Sequence, residues 1–285
     1  MFKKLATLVI FASLLCSCNS TTEGDDKKTI YVTIAPLRSI VEEITGGDYN
    51  VEILVPKGAS PESFEPTAKN LMELNDAEQV FSVGLINFEQ TLTNSLKDNS
   101  RLVNLSNGIE LLAGSCSHCN HAHAHGIDPH IWTSPRALKR MVENIGLAMQ
   151  RVAPDSVKYR DNTDKLIHKL ESLDSLCSSE LSSNNIRAMM IYHPAFTYFA
   201  NDYSIEQISV EQDGKEPSPR QLTSLVEKAR KYNISKVLIQ PQYSKDKLRA
   251  LATECEAEIV EVDPLSENII AEIERVTNII CDDNE

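Results

Sequence analysis

Ile30-Tyr31-Val32-Thr33-Ile34 is followed by Leu37, Ile40, Val41 and Ile44. An unbroken β-branched and aromatic run reads as a buried strand, and apolar residues at i, i+3, i+4 and i+7 read as one helical face. The unit recurs along the chain after it. Val51 to Val55, Gln79 to Val83 and Arg101 to Leu105 are strand-like, with helical stretches near Leu71 and Leu92 between them. Ala188 to Tyr192, Glu206 to Val210, Lys236 to Gln240 and Glu258 to Val262 repeat the theme, with Leu222, Leu225, Val226 and Ala229 on a helical stripe. Alternation of this kind implies an α/β protein whose mostly parallel sheets are flanked by helices.

The middle of the chain breaks the pattern. Leu138, Met141, Val142, Ile145 and Met149 share one helical face, Pro154 stops that helix, and Asp155 is the expected cap of the next. The next helix is expected from about Ser156 to Leu181, with Leu166, Leu170, Leu173 and Leu181 along one side. A helix of about 26 residues is roughly 40 Å long, enough to run past two lobes.

With 285 residues, 41% of them hydrophobic, the chain is large enough for one large or two medium domains. The 28 Lys+Arg against 41 Asp+Glu leave a net charge of −13, which excludes an electrostatic grip on nucleic acid. Lys3 and Lys4 precede an apolar run from Leu5 to Leu15 that is too short to span a bilayer as an ordinary helix and reads as an export signal. Its end, Leu15-Cys16-Ser17-Cys18, is similar to a bacterial lipobox, so residues 1–17 are expected to be removed and Cys18 lipidated. Residues 18–28 then form a polar tether, and the protein is extracytoplasmic and membrane-anchored. The other cysteines are Cys116, Cys119, Cys177, Cys255 and Cys281, an odd number in a compartment that permits disulfides. Cys255 and Cys281, both near the C-terminus, are the best candidate pair.

Four segments that follow strands or precede a helix carry donor atoms suited to a metal. They are Gly58-Ala59-Ser60-Pro61-Glu62-Ser63-Phe64-Glu65-Pro66, Asp128-Pro129-His130-Ile131-Trp132, Tyr192-His193-Pro194-Ala195-Phe196 and Val262-Asp263-Pro264-Leu265. Open α/β sheets bind ligands in the crevice at such strand ends, and imidazoles with carboxylates suit a divalent transition metal. Singly, each residue has an ordinary structural reading: either histidine as a packed side chain, Asp263-Pro264 as a turn, Glu62 as a solvated loop carboxylate. A fifth segment is sharper. Cys116-Ser117-His118-Cys119-Asn120-His121-Ala122-His123-Ala124-His125-Gly126 holds four of the seven histidines and too little apolar content to form core, so His118, His121, His123 and His125 are expected to act as an auxiliary metal-binding loop.

Taken in order, the lipobox, the Gly58–Pro66 segment, the His-rich loop, Asp128-Pro129-His130-Ile131-Trp132, the Tyr192–Phe199 segment and Val262-Asp263-Pro264-Leu265 resemble the zinc/manganese solute-binding proteins of ABC importers, and most the zinc-binding lipoprotein branch. Gly214-Lys215-Glu216-Pro217-Ser218-Pro219 extends the resemblance. It implies two α/β lobes joined by a rigid backbone helix, with one metal in the cleft between them. Residues 29–154 would form the N-terminal lobe with the loop at 116–126, residues 155–182 the helix, and residues 183–285 the C-terminal lobe. His130 falls at the family's second ligand, His193 at its third and Asp263 at its fourth. At the first ligand the family usually has Asp-Pro-His, where this chain has Ser60-Pro61-Glu62. Glu62, Glu65 or a water would then complete the shell.

Carboxylate in place of imidazole hardens the site towards manganese or iron, while the His-rich loop and zinc's rank in the affinity order favour zinc. Zinc is the expected cargo and manganese the alternative. The expected role is high-affinity capture without catalysis by a monomer that hands the ion to a membrane permease, with affinity lost as the histidines protonate near pH 6. The rivals are a surface adhesin, a metal-storage protein and an extracellular zinc hydrolase. The last lacks both His-Glu-x-x-His and Gly-x-Ser-x-Gly.

Overall fold

The run that opens the fold forms strand β1 (Thr29–Val32), and its stripe forms helix α1 (Pro36–Thr45), started by Pro36 and ended by Gly46 at φ 60°. Ile30 and Val32 of the strand and Leu37, Ile40, Val41 and Ile44 of the helix are buried against each other's layer. This computed structural model describes residues 27–114, 126–211 and 214–282. The export signal, the proposed lipid attachment at Cys18, Cys116, Cys119 and the four loop histidines lie outside the described residues.

Every strand expected from the sequence forms. In the N-terminal half β2 (Asn50–Ile53), α2 (Ala68–Asp76), β3 (Gln79–Ser82), α3 (Glu89–Ser95) and β4 (Leu102–Asn104) follow α1. Helices α4 (Pro135–Val152) and α5 (Val157–Ser183) come next. The C-terminal half runs β5 (Ala188–Ile191), α6 (Thr197–Asp202), β6 (Glu206–Ser209), α7 (Pro219–Lys231), β7 (Lys236–Ile239), α8 (Arg249–Cys255), β8 (Glu258–Glu261) and α9 (Ile269–Cys281). The two sheets have the orders β2-β1-β3-β4 and β6-β5-β7-β8, and every pairing is parallel. Both therefore reverse direction beside their first strand, which opens a crevice at the carboxyl ends of β1 and β3 and of β5 and β7.

Helix α5 has 27 residues, about 40 Å of rod. Its cap is Ser156, whose hydroxyl accepts the Tyr159 N–H at 3.3 Å, and not the expected Asp155. The serine wins because its extended backbone sits directly before the first helical residue. The helix packs on α1 and α4 at one end and α9 at the other. Gly146 of α4 allows the closest approach, since a Cβ there would stand 2.6 Å from Thr163 of α5. One apolar cluster consequently runs from Ile30, Val41 and Leu74 through Met141 and Leu170 to Ile273 and Val276. A second, smaller cluster lies between the C-terminal sheet and α7 and α8.

The halves are also tied by polar contacts. Trp132 Nε1 donates to the Pro264 carbonyl at 2.7 Å, and the Thr133 hydroxyl to the Ala195 carbonyl at 2.8 Å. Tyr198 donates to the Asp128 carbonyl and accepts the Leu112 N–H, which pins both ends of the His-rich segment where Ala113 and Ile127 form a bridge. Cys255 and Cys281 are free thiols, as is Cys177, which corrects the expected disulfide. The reason is packing: Cys281 belongs to the large cluster and Cys255 borders the small one. Among the described residues no helix is long and apolar enough to cross a membrane.

Candidate metal centre

Three side chains expected from the sequence meet between the halves. Glu62 sits in a short 3-10 turn, Pro61–Ser63, where Pro61 fixes the entering backbone and Phe64 packs edge-on against Phe88 at 5.1 Å. His130 precedes another 3-10 turn, Ile131–Thr133, that leads into α4. His193 stands two residues past the end of β5, and the Gln240 side chain at the end of β7 brackets its backbone, accepting from its N–H at 3.3 Å and donating to its carbonyl at 2.7 Å.

The ligand-capable atoms of Glu62, His130 and His193 all lie within 4.8 Å of one another. Glu62 Oε1 is 3.2 Å from His193 Nε2 and 3.9 Å from His130 Nε2, and the imidazole centroids are 5.2 Å apart. Donors held by one tetrahedral zinc at about 2.0–2.2 Å stand roughly 3.3–3.6 Å apart, so these atoms need only small shifts to share an ion. The cavity around them, walled by Pro61, Ile86, Trp132 and Tyr243, measures about 40 Å³, room for an ion with little water. Tyr243 lies nearly parallel to the His193 ring at 5.9 Å.

Each imidazole is held from behind by a buried carboxylate. Asp128 Oδ1 is 2.9 Å from His130 Nδ1 and also accepts the His130 backbone N–H at 2.8 Å. Glu211 Oε1 is 2.5 Å from His193 Nδ1. Ionised carboxylates only accept, so both Nδ1 atoms carry protons and both Nε2 atoms face Glu62. Burial raises the Asp128 carboxyl, but the neighbouring His130 outweighs it and holds the group below its usual range. The hydrogen bond from His193 likewise keeps Glu62 low against its burial. Burial disfavours charge on His193, yet Glu211 and Glu62 on either side push it up to about 9. The expectation of loss near pH 6 is thereby moved upward for this residue.

Asp263 stands outside the group. Its Oδ1 accepts the Leu265 N–H at 3.0 Å, burial raises its carboxyl, and its charged neighbours are Glu272, Lys57 and Glu261. It lines an adjoining cavity of about 250 Å³ with Lys57 and Ser266. Glu65 is exposed and takes no part in the group, so of the two carboxylates expected as alternatives for the first ligand the structure brings Glu62 in. Glu211, Gln240 and the bracing role of Asp128 went unread in the sequence. Glu211 had a signal, since it directly follows a strand as His193 and Asp263 do.

The chain has relatives among known proteins. The family model described as "ZnuA: Zinc-uptake complex component A periplasmic" matches residues 30–274. The chain belongs to the ZnuA family. It is 29% identical over 276 residues to the high-affinity zinc uptake system protein ZnuA of Bacillus subtilis, covering 89% of this chain and 86% of that one. It is 27% identical over 278 residues to the zinc-binding lipoprotein AdcA of Streptococcus pneumoniae, covering 92% of this chain and 55% of AdcA. The chain thus spans about half the length of the AdcA relatives it matches. A crystal structure of ZnuA superposes with a TM-score of 0.81 at 30% identity, covering 91% of this chain and all of the other. A Zn(II)-bound AdcA structure gives 0.76 at 26% identity, covering 90% and 58%. The two-sheet α/β architecture and the long helix are those of the ZnuA family.

Proposed function

We propose that this protein captures a divalent metal, zinc above manganese, outside the cytoplasm and delivers it to the membrane permease of an ABC importer. The observation that carries the reading is the convergence of His130 Nε2 and His193 Nε2 on Glu62 Oε1. Neutral imidazoles at two positions and one carboxylate form a three-donor zinc shell, and a water takes the fourth place because Asp263 stands apart. The histidine loop acts as an auxiliary collector, and Cys18 carries the lipid that keeps the monomer beside its permease. Zinc above manganese follows from the two nitrogens and from zinc's higher place in the affinity order.

Catalysis is not part of the proposal. A hydrolase needs a general base beside the metal-bound water, and Asp128 and Glu211 are both engaged by imidazole N–H groups. The test is competitive zinc and manganese titration of the protein and of a form lacking residues 116–125. One tight site preferring zinc in both forms supports capture at the cleft. Absence of any tight divalent site in either form overturns the reading, and hydrolysis of model esters or peptides by the zinc-loaded protein would reinstate the enzymatic rival.

A further inference from the structure

Glu211 has only 6% of its surface exposed, and among the described residues the one hydrogen bond its carboxylate accepts comes from His193. It comes from the end of β6, whose edge position gives no other reason for a buried charge. Its counterpart Asp128 is different, since it also ties its own loop by accepting a backbone N–H two residues on. A carboxylate buried for a single imidazole costs desolvation energy that a neutral residue would avoid. The site gains charge by keeping it: Glu62, Asp128 and Glu211 together bring three carboxylates around one cation position.

We propose that Glu211 is a positioning residue that sets the preference for zinc over manganese. The inference rests on the metal-capture reading above and concerns the same site. By accepting the Nδ1 proton, Glu211 directs the Nε2 lone pair of His193 into the cleft and makes the ring a stronger donor. Zinc draws more of its binding from imidazole nitrogen than manganese does, and manganese leans more on carboxylate oxygen, here Glu62. Strengthening the imidazole therefore favours zinc selectively. Gln240 fixes the backbone of His193 and leaves the electronic role to Glu211.

The test is Glu211→Gln, which keeps an acceptor of the same size and removes the charge, read by zinc and manganese affinities of the full chain beside His193→Ala. Expected is a loss of about 10- to 100-fold for zinc with a smaller loss for manganese, so the ratio of the two narrows. Zinc affinity within threefold of the parent, or equal losses for both metals, overturns the proposal. If His193→Ala itself leaves zinc binding intact, the capture reading fails instead, and the two failures are told apart. A measurement on the unaltered protein guards against misfolding of the variant: histidine ¹⁵N spectra of the zinc-loaded chain should show His193 protonated at Nδ1 and metal-bound at Nε2, and metal at Nδ1 would overturn it.

Discussion

The two halves of the molecule share a strand order but present their ligands differently. In the C-terminal half His193, Glu211 and Gln240 stand within two residues of the ends of β5, β6 and β7, on a rigid sheet rim. In the N-terminal half Glu62 sits on a 3-10 turn and His130 just before one, well past β2 and β4, so each needs its own bracing. Phe64 on Phe88 steadies the first, and Asp128 the second. Behind Phe88 the buried Glu89 accepts backbone N–H groups from Val83, Gly84, Leu85 and Ile86. Gly84 in that loop has φ +84°, and a Cβ there would overlap Asn104, so the turn admits glycine alone. A sheet rim offers a preformed half-site, whereas loops offer an adjustable one, and it is on the loop side that this chain supplies its carboxylate, Glu62.

Removing one imidazole from each half has the largest expected effect. His193→Ala should lower zinc affinity by roughly 10²- to 10³-fold, and His130→Ala by a similar factor. Calorimetric or competition titration checks both, and an unchanged value for either removes that half from the site. Glu62→Gln comes next, with a loss of roughly 10- to 100-fold measured the same way, because a neutral amide leaves the cation less well balanced.

Protons offer a subtler probe of the rim. Since His193 is charged up to about pH 9 in the metal-free protein, zinc must displace its proton, and affinity should rise with pH by up to about tenfold per unit until it levels near 9. A pH series of titrations with proton-release measurement checks this, and a plateau already at pH 7 would refute it. Stability of the metal-free chain should move oppositely. The folded-state value lies above the free imidazole's 6.5, so the contribution is full below 6.5 and is lost as pH rises through about 9. The smallest effect belongs to Asp263→Ala, expected to change zinc affinity less than about threefold because its carboxylate lies outside the group formed by Glu62, His130 and His193. A loss equal to that of His193→Ala would make Asp263 a ligand.

Hydrophobic period carried most of the fold. The central strands β1, β3, β5 and β7 were legible as nearly continuous apolar runs, the more polar and less buried edge strands β2, β4, β6 and β8 from their place in the alternation with helices, and the long helix from its leucine stripe. Residue order likewise pointed to Glu62, His130 and His193. What stayed hidden depends on distances in space. Nothing in the chain order tells that Glu211 reaches His193 across neighbouring strands, that Asp263 turns to its own loop, or that Cys255 and Cys281 end in different apolar clusters. Capping was a near miss for the same reason, since Asp155 and Ser156 are equally good caps by type and only the local backbone selects the serine.

The apolar cluster that runs from β1 through α5 to α9 makes the halves one cooperative unit in unfolding. Zinc held at the cleft should therefore raise a single melting transition of the whole chain instead of one half's. Expressed alone, the C-terminal half would bare the side of α9 that α5 covers, Ile273 and Val276 included, and a surface of that kind aggregates.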